Sequence, residues 1–250
     1  MILTGNTIFI TGGGSGIGRG LAEALQARGN QVIISGRRKA LLEETTKANP
    51  GMDYIELNVE DPASIASVAE TLIAKYPKLN VVINNAGMMK YEAGGGVIDD
   101  DLLVSTLTTN VMGPIRLTSA LLEHLKTQPA AYVAYTTSGL AFVPLAPASI
   151  YCATKAFLHS FILSQRYLLK DTTVKVLEIA PPYVQTELTG PDMAVDPRAM
   201  PLNVFIDQTI EALGTDANEI LVPNVMDLRK GAGPNDYEAT VGLNNFFAGH

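Results

Sequence analysis

Tyr151 and Lys155, in the stretch SIYCATKAF at 149–157, set a phenol beside an ammonium in an otherwise small and apolar segment. Residues four apart share a helix face, so the two polar heads can meet at one spot. A free phenol has a pKa near ~10, too high to exchange a proton readily near neutrality. A neighbouring cation favours the phenolate and brings the group toward proton-transfer chemistry. With nine tyrosines in the chain, such a pair also arises from composition alone. It needs other residues converging on it.

Composition limits what those residues can be doing. Of 250 residues, 47% are hydrophobic and 17% charged, the balance of a well-filled globular interior. A net charge of −7 argues against nucleic acid or an anionic membrane surface as partner, since either favours a basic patch. The single cysteine, Cys152, excludes an intrachain disulfide framework, and His124, His159 and His250 have no zinc-ligand spacing, so no metal is expected. The opening MILTGNTIFITGGG has no basic region, and its apolar run is shorter than a secretory or membrane-spanning segment. A cytosolic protein is expected.

Short β-branched runs recur at Thr7, Gln31, Asp53, Asn80, Ala130, Thr173 and Glu219, mostly as the continuous apolar stretches of strands buried on both faces. Helix-length segments lie between them. In GIGRGLAEALQARG, Ile17, Leu21 and Leu25 form one stripe and Gly29 can close the helix in a left-handed cap. Strand and helix in alternation imply right-handed crossovers and an α/β fold: one doubly wound, Rossmann-type, mostly parallel seven-stranded sheet with helices on both faces. No linker or repeat interrupts the chain, so 1–250 reads as a single domain.

In such sheets ligands bind beyond the carboxyl ends of the strands. There the first strand runs into TGGGSGIG, where Gly12, Gly16 and Gly18 would let the backbone approach a phosphate at the start of a helix. No G-x-G-x-x-G register fits, and the P-loop register from Gly13 meets Arg19 and Gly20 where Lys and Ser/Thr are required. A tight structural turn is the plainer alternative, although the loop holds more glycines than a turn needs. After the second strand, a carboxylate would bind the ribose 2′-hydroxyl of NAD, whereas arginine accommodates a 2′-phosphate. The chain reads SGRRK, with Arg37 and Arg38 and no acid, which favours NADP(H) over NAD(H).

Thr11-Gly12-x-x-x-Gly16-x-Gly18, NNAG at 84–87, Asn110, Ser138 thirteen residues before Tyr151, and Lys155 together resemble the short-chain dehydrogenase/reductase family, from the first strand to APPYVQT at 180–186. The stretches NPG at Asn49, DPASIA at Asp61 and APPYVQTEL at Ala180 are also similar to bacterial members named for a teichoic-acid D-alanylation operon. The resemblance implies an NADP(H)-dependent oxidoreductase acting on a small-molecule carbonyl or secondary alcohol. Tyr151 would be the general acid/base, Ser138 would hydrogen-bond the reacting oxygen, Lys155 would tune the phenol and hold the nicotinamide ribose, and Asn110 would anchor a water-linked proton relay. Cofactor contacts would come from Gly12, Ser15, Gly16, Ile17, Gly18, Arg37, Arg38, Asn58, Val59, Asn85, Ala86, Gly87, Pro181, Val184 and Thr186, besides Tyr151 and Lys155.

Two positions depart from the family pattern. Asn58 stands where an aspartate is usual, and Pro182 replaces a glycine and stiffens the segment leading to the nicotinamide. Cys152 reads as inert packing, His159 as helix packing or interface, and Gly94–Gly96 as a loop that flexes near the pocket. Residues 183–201 read as a substrate lid, on which NNFFAG near the carboxyl end could pack. By family analogy a homodimer or homotetramer would form through the helices bearing Asn110 and Tyr151. The rival reading is a dinucleotide-sensing regulator or scaffold without chemistry, which would have no use for a proton donor.

Overall fold

Seven strands form one all-parallel sheet in the order β3-β2-β1-β4-β5-β6-β7. They are β1 (Thr7–Thr11), β2 (Gln31–Gly36), β3 (Asp53–Glu56), β4 (Leu79–Asn84), β5 (Ala131–Thr136), β6 (Val174–Ile179) and β7 (Glu219–Ile220). The structure, a computed structural model, describes residues 1–92 and 96–248. The flexibility expected of Gly94 and Gly95 falls outside them.

The continuous apolar runs became the central strands because both faces are covered. On one face Ile8, Ile10, Val32, Ile34, Val81 and Ile83 pack against Leu21 and Leu25 of α1 (Gly16–Gln26) and Phe205, Ile206 and Ile210 of α8 (Leu202–Leu213). On the other, Phe9, Ile33, Val82, Val133 and Val176 meet α3 (Pro62–Lys75), α5 (Gly113–Lys126) and α6 (Ser149–Leu168) through Leu72, Leu117, Leu121, Leu158 and Ile162. Each fully buried Leu or Ile of this kind contributes about 1.5–3 kcal/mol. Gly29 has φ +82°, and its N–H donates to the Gln26 carbonyl just beyond α1, the closure its position implied.

β1 lies between β2 and β4, so chain direction around the sheet reverses there and a crevice opens at the carboxyl edge. The remaining helices are α2 (Lys39–Ala48), α4 (Asp100–Leu107), α7 (Pro191–Val195), α9 (Met226–Gly231) and α10 (Asp236–Ala248). Among the described residues, no helix is long and apolar enough to cross a membrane.

Candidate active site

α6 carries both Tyr151 and Lys155. Its buried stripe runs Tyr151, Lys155, Leu158, Ile162, so the phenol and ammonium occupy the amino-terminal end of the face that packs on the sheet. Ala148, at the N-cap, offers no side-chain acceptor. The cap comes instead from Glu92, whose carboxylate accepts from the Ile150 N–H and the Ser149 hydroxyl at 2.7 Å each. An anion there suits the positive end of the helix.

Ser138, Tyr151 and Lys155 line one cavity of about 430 Å³ at the carboxyl edge, together with Gly12, Ser15, Gly16, Ile17, Arg37, Arg38, Val59, Asn85, Ala86, Gly87, Pro181, Val184 and Thr186. Lys155 Nζ donates to the Thr136 carbonyl at 2.8 Å and stands 5.4 Å from the centre of the Tyr151 ring. Both side chains are almost fully buried. Among the protein's own groups, however, the expected lowering of the phenol by the ammonium does not dominate. Burial pushes Tyr151 above its ordinary pKa, with a hydrogen bond to Ser138 acting the other way, and burial lowers Lys155 to about 8. Desolvation sets the direction for both groups because both are buried.

The glycine turn is built for close approach. Gly12 and Gly16 have φ +69° and +52°, where side chains are strained. A Cβ on Gly13 would lie 2.6 Å from Ile34, and one on Gly18 would lie 2.3 Å from the Gly12 carbonyl oxygen. Ser15 precedes α1 without capping it; its Oγ accepts from Arg38 at 2.9 Å. The first-turn N–H groups of α1 are therefore available to an anion. Arg37 is paired with Glu60 at 2.6 Å, and Glu60 also accepts from the Thr109 hydroxyl. Asn85 and Ala86 are braced against β1, both N–H groups donating to Thr11 Oγ1 at 3.0 Å. A bound dinucleotide fits this chemistry: glycines where a Cβ would collide, an open helix start and two arginines on one wall.

The matching family model is that of short chain dehydrogenases, over residues 6–195. The chain belongs to the short-chain dehydrogenase family. It is 42% identical over 193 residues to the uncharacterized oxidoreductase DltE of Bacillus subtilis (strain 168), covering 75% of each protein. It is 31% identical to an NADP-dependent 3-hydroxy acid dehydrogenase of Schizosaccharomyces pombe, over 75% of this chain and 74% of that protein. Among solved structures, a short chain dehydrogenase from Burkholderia cenocepacia J2315 in complex with NADP superposes with TM-score 0.84 at 23% identity, covering 97% and 99% of the two chains. A Burkholderia phymatum relative in complex with NAD has TM-score 0.80 at 19% identity, covering 92% and 94%. The protein is thus an oxidoreductase of the short-chain dehydrogenase family with a dinucleotide-binding fold.

Three of the residues expected in this dehydrogenase's site do not reach the cavity wall. Gly18 lies behind the turn, against Gly12 and Asn85. Asn58 is exposed, its Oδ1 accepting from the Glu60 N–H, and Leu57 and Val59 line the cavity beside it. Asn110 is 1% exposed, in the π-helical turn Thr108–Met112 between α4 and α5. Its amide clamps Met88, accepting from the N–H at 2.8 Å and donating to the carbonyl at 2.9 Å, and also donates to Thr154.

The 183–201 segment is fastened at its base by Val184 bridging Met200, and its Leu188 and Met193 line the cavity. Phe247 packs edge-on against Tyr183 and under Arg198, joining α10 to this segment. His159 is a packing residue, edge-on to Phe142 and bonded to Glu178. The Cys152 thiol is buried, bonded to the Leu145 backbone and raised to about 11 by burial. Sequence reasoning missed Glu92, Glu60 and Glu178, each of which acts on a partner far away in the chain.

Proposed function

We propose that this protein is an NADP(H)-dependent reductase or dehydrogenase of a small-molecule carbonyl or secondary alcohol, built as one domain with a lid over residues 183–201. The observation that carries the reading is the meeting of Ser138, Tyr151 and Lys155 in the cavity that also holds the glycine turn, Arg37 and Arg38. The nicotinamide, when bound, supplies or accepts the hydride. The pyrophosphate would lie on the Gly12–Gly18 turn, the 2′-phosphate near Arg37 and Arg38, and Val59, Asn85, Ala86, Gly87, Pro181, Val184 and Thr186 would line the remainder. Asn58 is proposed to touch adenine only through its segment.

Tyr151 gives its proton to the substrate oxygen in the reductive direction and takes it back in the other. Ser138 holds the same oxygen and stabilises the charge that develops there. Lys155, buried beside the ring, holds the ribose and favours departure of the phenolic proton while it is charged. Asn110 fixes Met88 and the turn beside Gly87, the place from which a proton relay to solvent would start. The S. pombe relative, an NADP-dependent 3-hydroxy acid dehydrogenase, supports both the cofactor preference and a secondary alcohol as substrate.

A homodimer or homotetramer is proposed through the helices bearing Asn110 and Tyr151. Its support is the exposed large apolar side chains Phe157, Leu163, Tyr167 and Leu168 of α6. The single buried Cys152 suits a reducing, cytosolic setting.

A panel of ketones, aldehydes and secondary alcohols followed by nicotinamide absorbance tests the activity: NADPH consumption with at least one carbonyl is expected, and tight NADPH binding without any turnover would contradict it. Arg37→Asp tests the cofactor. Loss of a charged hydrogen bond to phosphate costs about 1.5–3 kcal/mol, so the NADPH-to-NADH ratio of kcat/KM is expected to fall by at least about tenfold. An unchanged ratio would remove Arg37 from the phosphate site.

A further inference from the structure

β6 is apolar at its buried positions except for one residue. Glu178 is fully buried, yet it lines no part of the cavity and has no part in the chemistry proposed above. Placing a carboxylate there carries a desolvation cost, and replacing buried charges by hydrophobic residues of similar size is often at least neutral for stability. A site that violates the burial rule so completely calls for another reason.

Its bonds supply one. Oε1 accepts from the Thr137 hydroxyl at 2.7 Å, and Oε2 pairs with His159 Nδ1 at 2.8 Å. Thr137 is the residue before Ser138, and its N–H is fixed to the Ile179 carbonyl at 2.8 Å. His159 is one helical turn beyond Lys155 on α6, and Lys155 closes back on the Thr136 carbonyl. Thr136, Thr137, Glu178, His159 and Lys155 therefore form a ring joining the end of β5, β6 and α6.

Glu219 and His159 approach Glu178 closely enough that the three offer ligand atoms within 4.8 Å of one another. A cation is not needed to explain that grouping. Both oxygens of Glu219 are held by Arg229, at 2.9 and 3.3 Å, and both of Glu178 are taken by Thr137 and His159. Arg166 and Arg229 lie near enough for their charges to balance the two acids. The cluster is satisfied internally, so its effect is mechanical.

We propose that Glu178 is a positioning residue that, through Thr137 and His159, sets Ser138 in register with Tyr151 on the same substrate oxygen. Ser138 comes from the end of β5 and Tyr151 from α6, so their separation depends on how β5, β6 and α6 are held together. Productive geometry has a tolerance of about 0.5 Å, and a displacement of about 1 Å costs up to about 100-fold in rate. The inference rests on the proposed reductase reading.

The test uses the full-length protein, NADPH and the carbonyl compound reduced fastest in the panel above. Thr137→Val removes one hydroxyl with little change of volume. It is expected to lower kcat by about tenfold while KM and the NADPH dissociation constant stay within about twofold. Glu178→Ala should lower kcat at least as much. Glu178→Gln, which retains an acceptor for Thr137 and a polar partner for His159, should recover kcat to within about twofold.

A Ser138→Ala background separates registration from general packing. With the serine hydroxyl gone there is nothing left to register, so Thr137→Val should there cost less than about twofold. Full kcat in Thr137→Val, or an equal loss with and without Ser138, would overturn the proposal and leave the reductase reading intact. Absence of turnover in the unaltered protein would overturn both. Thr137→Val stands in for Glu178→Ala wherever the alanine variant does not fold, since each alone tests the ring.

Discussion

Tyr151→Phe is expected to bind NADPH within about twofold of the parent and to lower kcat by about 10²–10⁴-fold, the range for removing a positioned proton donor. The ring of Tyr151 is 7% exposed and packs with Met89, Leu145, Ala148 and Cys152. Phenylalanine keeps those contacts and removes only the oxygen. Because burial holds the phenol in its protonated form, the variant loses a proton donor and no resident charge, so folding should be little changed. Fluorescence titration with NADPH and steady-state rates on the panel substrate check both halves. Retained turnover would take the proton-donor role away from Tyr151.

Gly18→Ala has the second large effect, and it falls on binding. The added methyl would stand 2.3 Å from the Gly12 carbonyl oxygen and 2.5 Å from Asn85 Nδ2. Helix α1 and the turn must separate to admit it. Overpacking of this kind costs about 1–3 kcal/mol, and for a chain of this size each kcal/mol lowers Tm by about 2–4 °C. Binding should suffer more than stability. Two charge-assisted N–H bonds to phosphate displaced together are worth about 3 kcal/mol or more, an affinity loss of about 100-fold. Calorimetric titration and thermal melts distinguish the two. A normal affinity for NADPH would mean that the turn does not carry the pyrophosphate.

The parts of this protein legible in its sequence are those whose cause is local. Central strands such as Ile8–Ile10 and Val32–Ile34 read as apolar runs because parallel strands are covered on both faces. The turn read from Gly12 and Gly16 because only glycine holds positive φ without strain. At Glu219 the EILV run promises a longer strand than forms. The ladder stops at Ile220, and Pro223 starts a 3₁₀ turn.

What was not legible depends on partners distant in the chain. Glu92 caps α6 from 58 residues before Ile150. Arg37 is read from SGRRK as a phosphate ligand, but its bond to Glu60 becomes visible only when β2 and the segment after β3 lie side by side. Likewise the Glu178 ring joins residues from β5, β6 and α6, none of which announces the others by spacing. The tuning of Tyr151 by Lys155 is an expectation drawn from adjacency on a helix, whereas the burial that raises the one and lowers the other is a property of the assembled sheet.

The most direct measurement is isotope transfer from NADPH carrying deuterium at both C4 positions of the nicotinamide, in the unaltered protein and in Tyr151→Phe. A single deuterium on the carbinol carbon of the alcohol product, formed with one stereochemistry by the unaltered protein and at least about 100-fold more slowly by the variant, is the expected result. Bound NADPH that delivers no deuterium to any carbonyl compound, or delivery at equal rates with and without the Tyr151 hydroxyl, would contradict it.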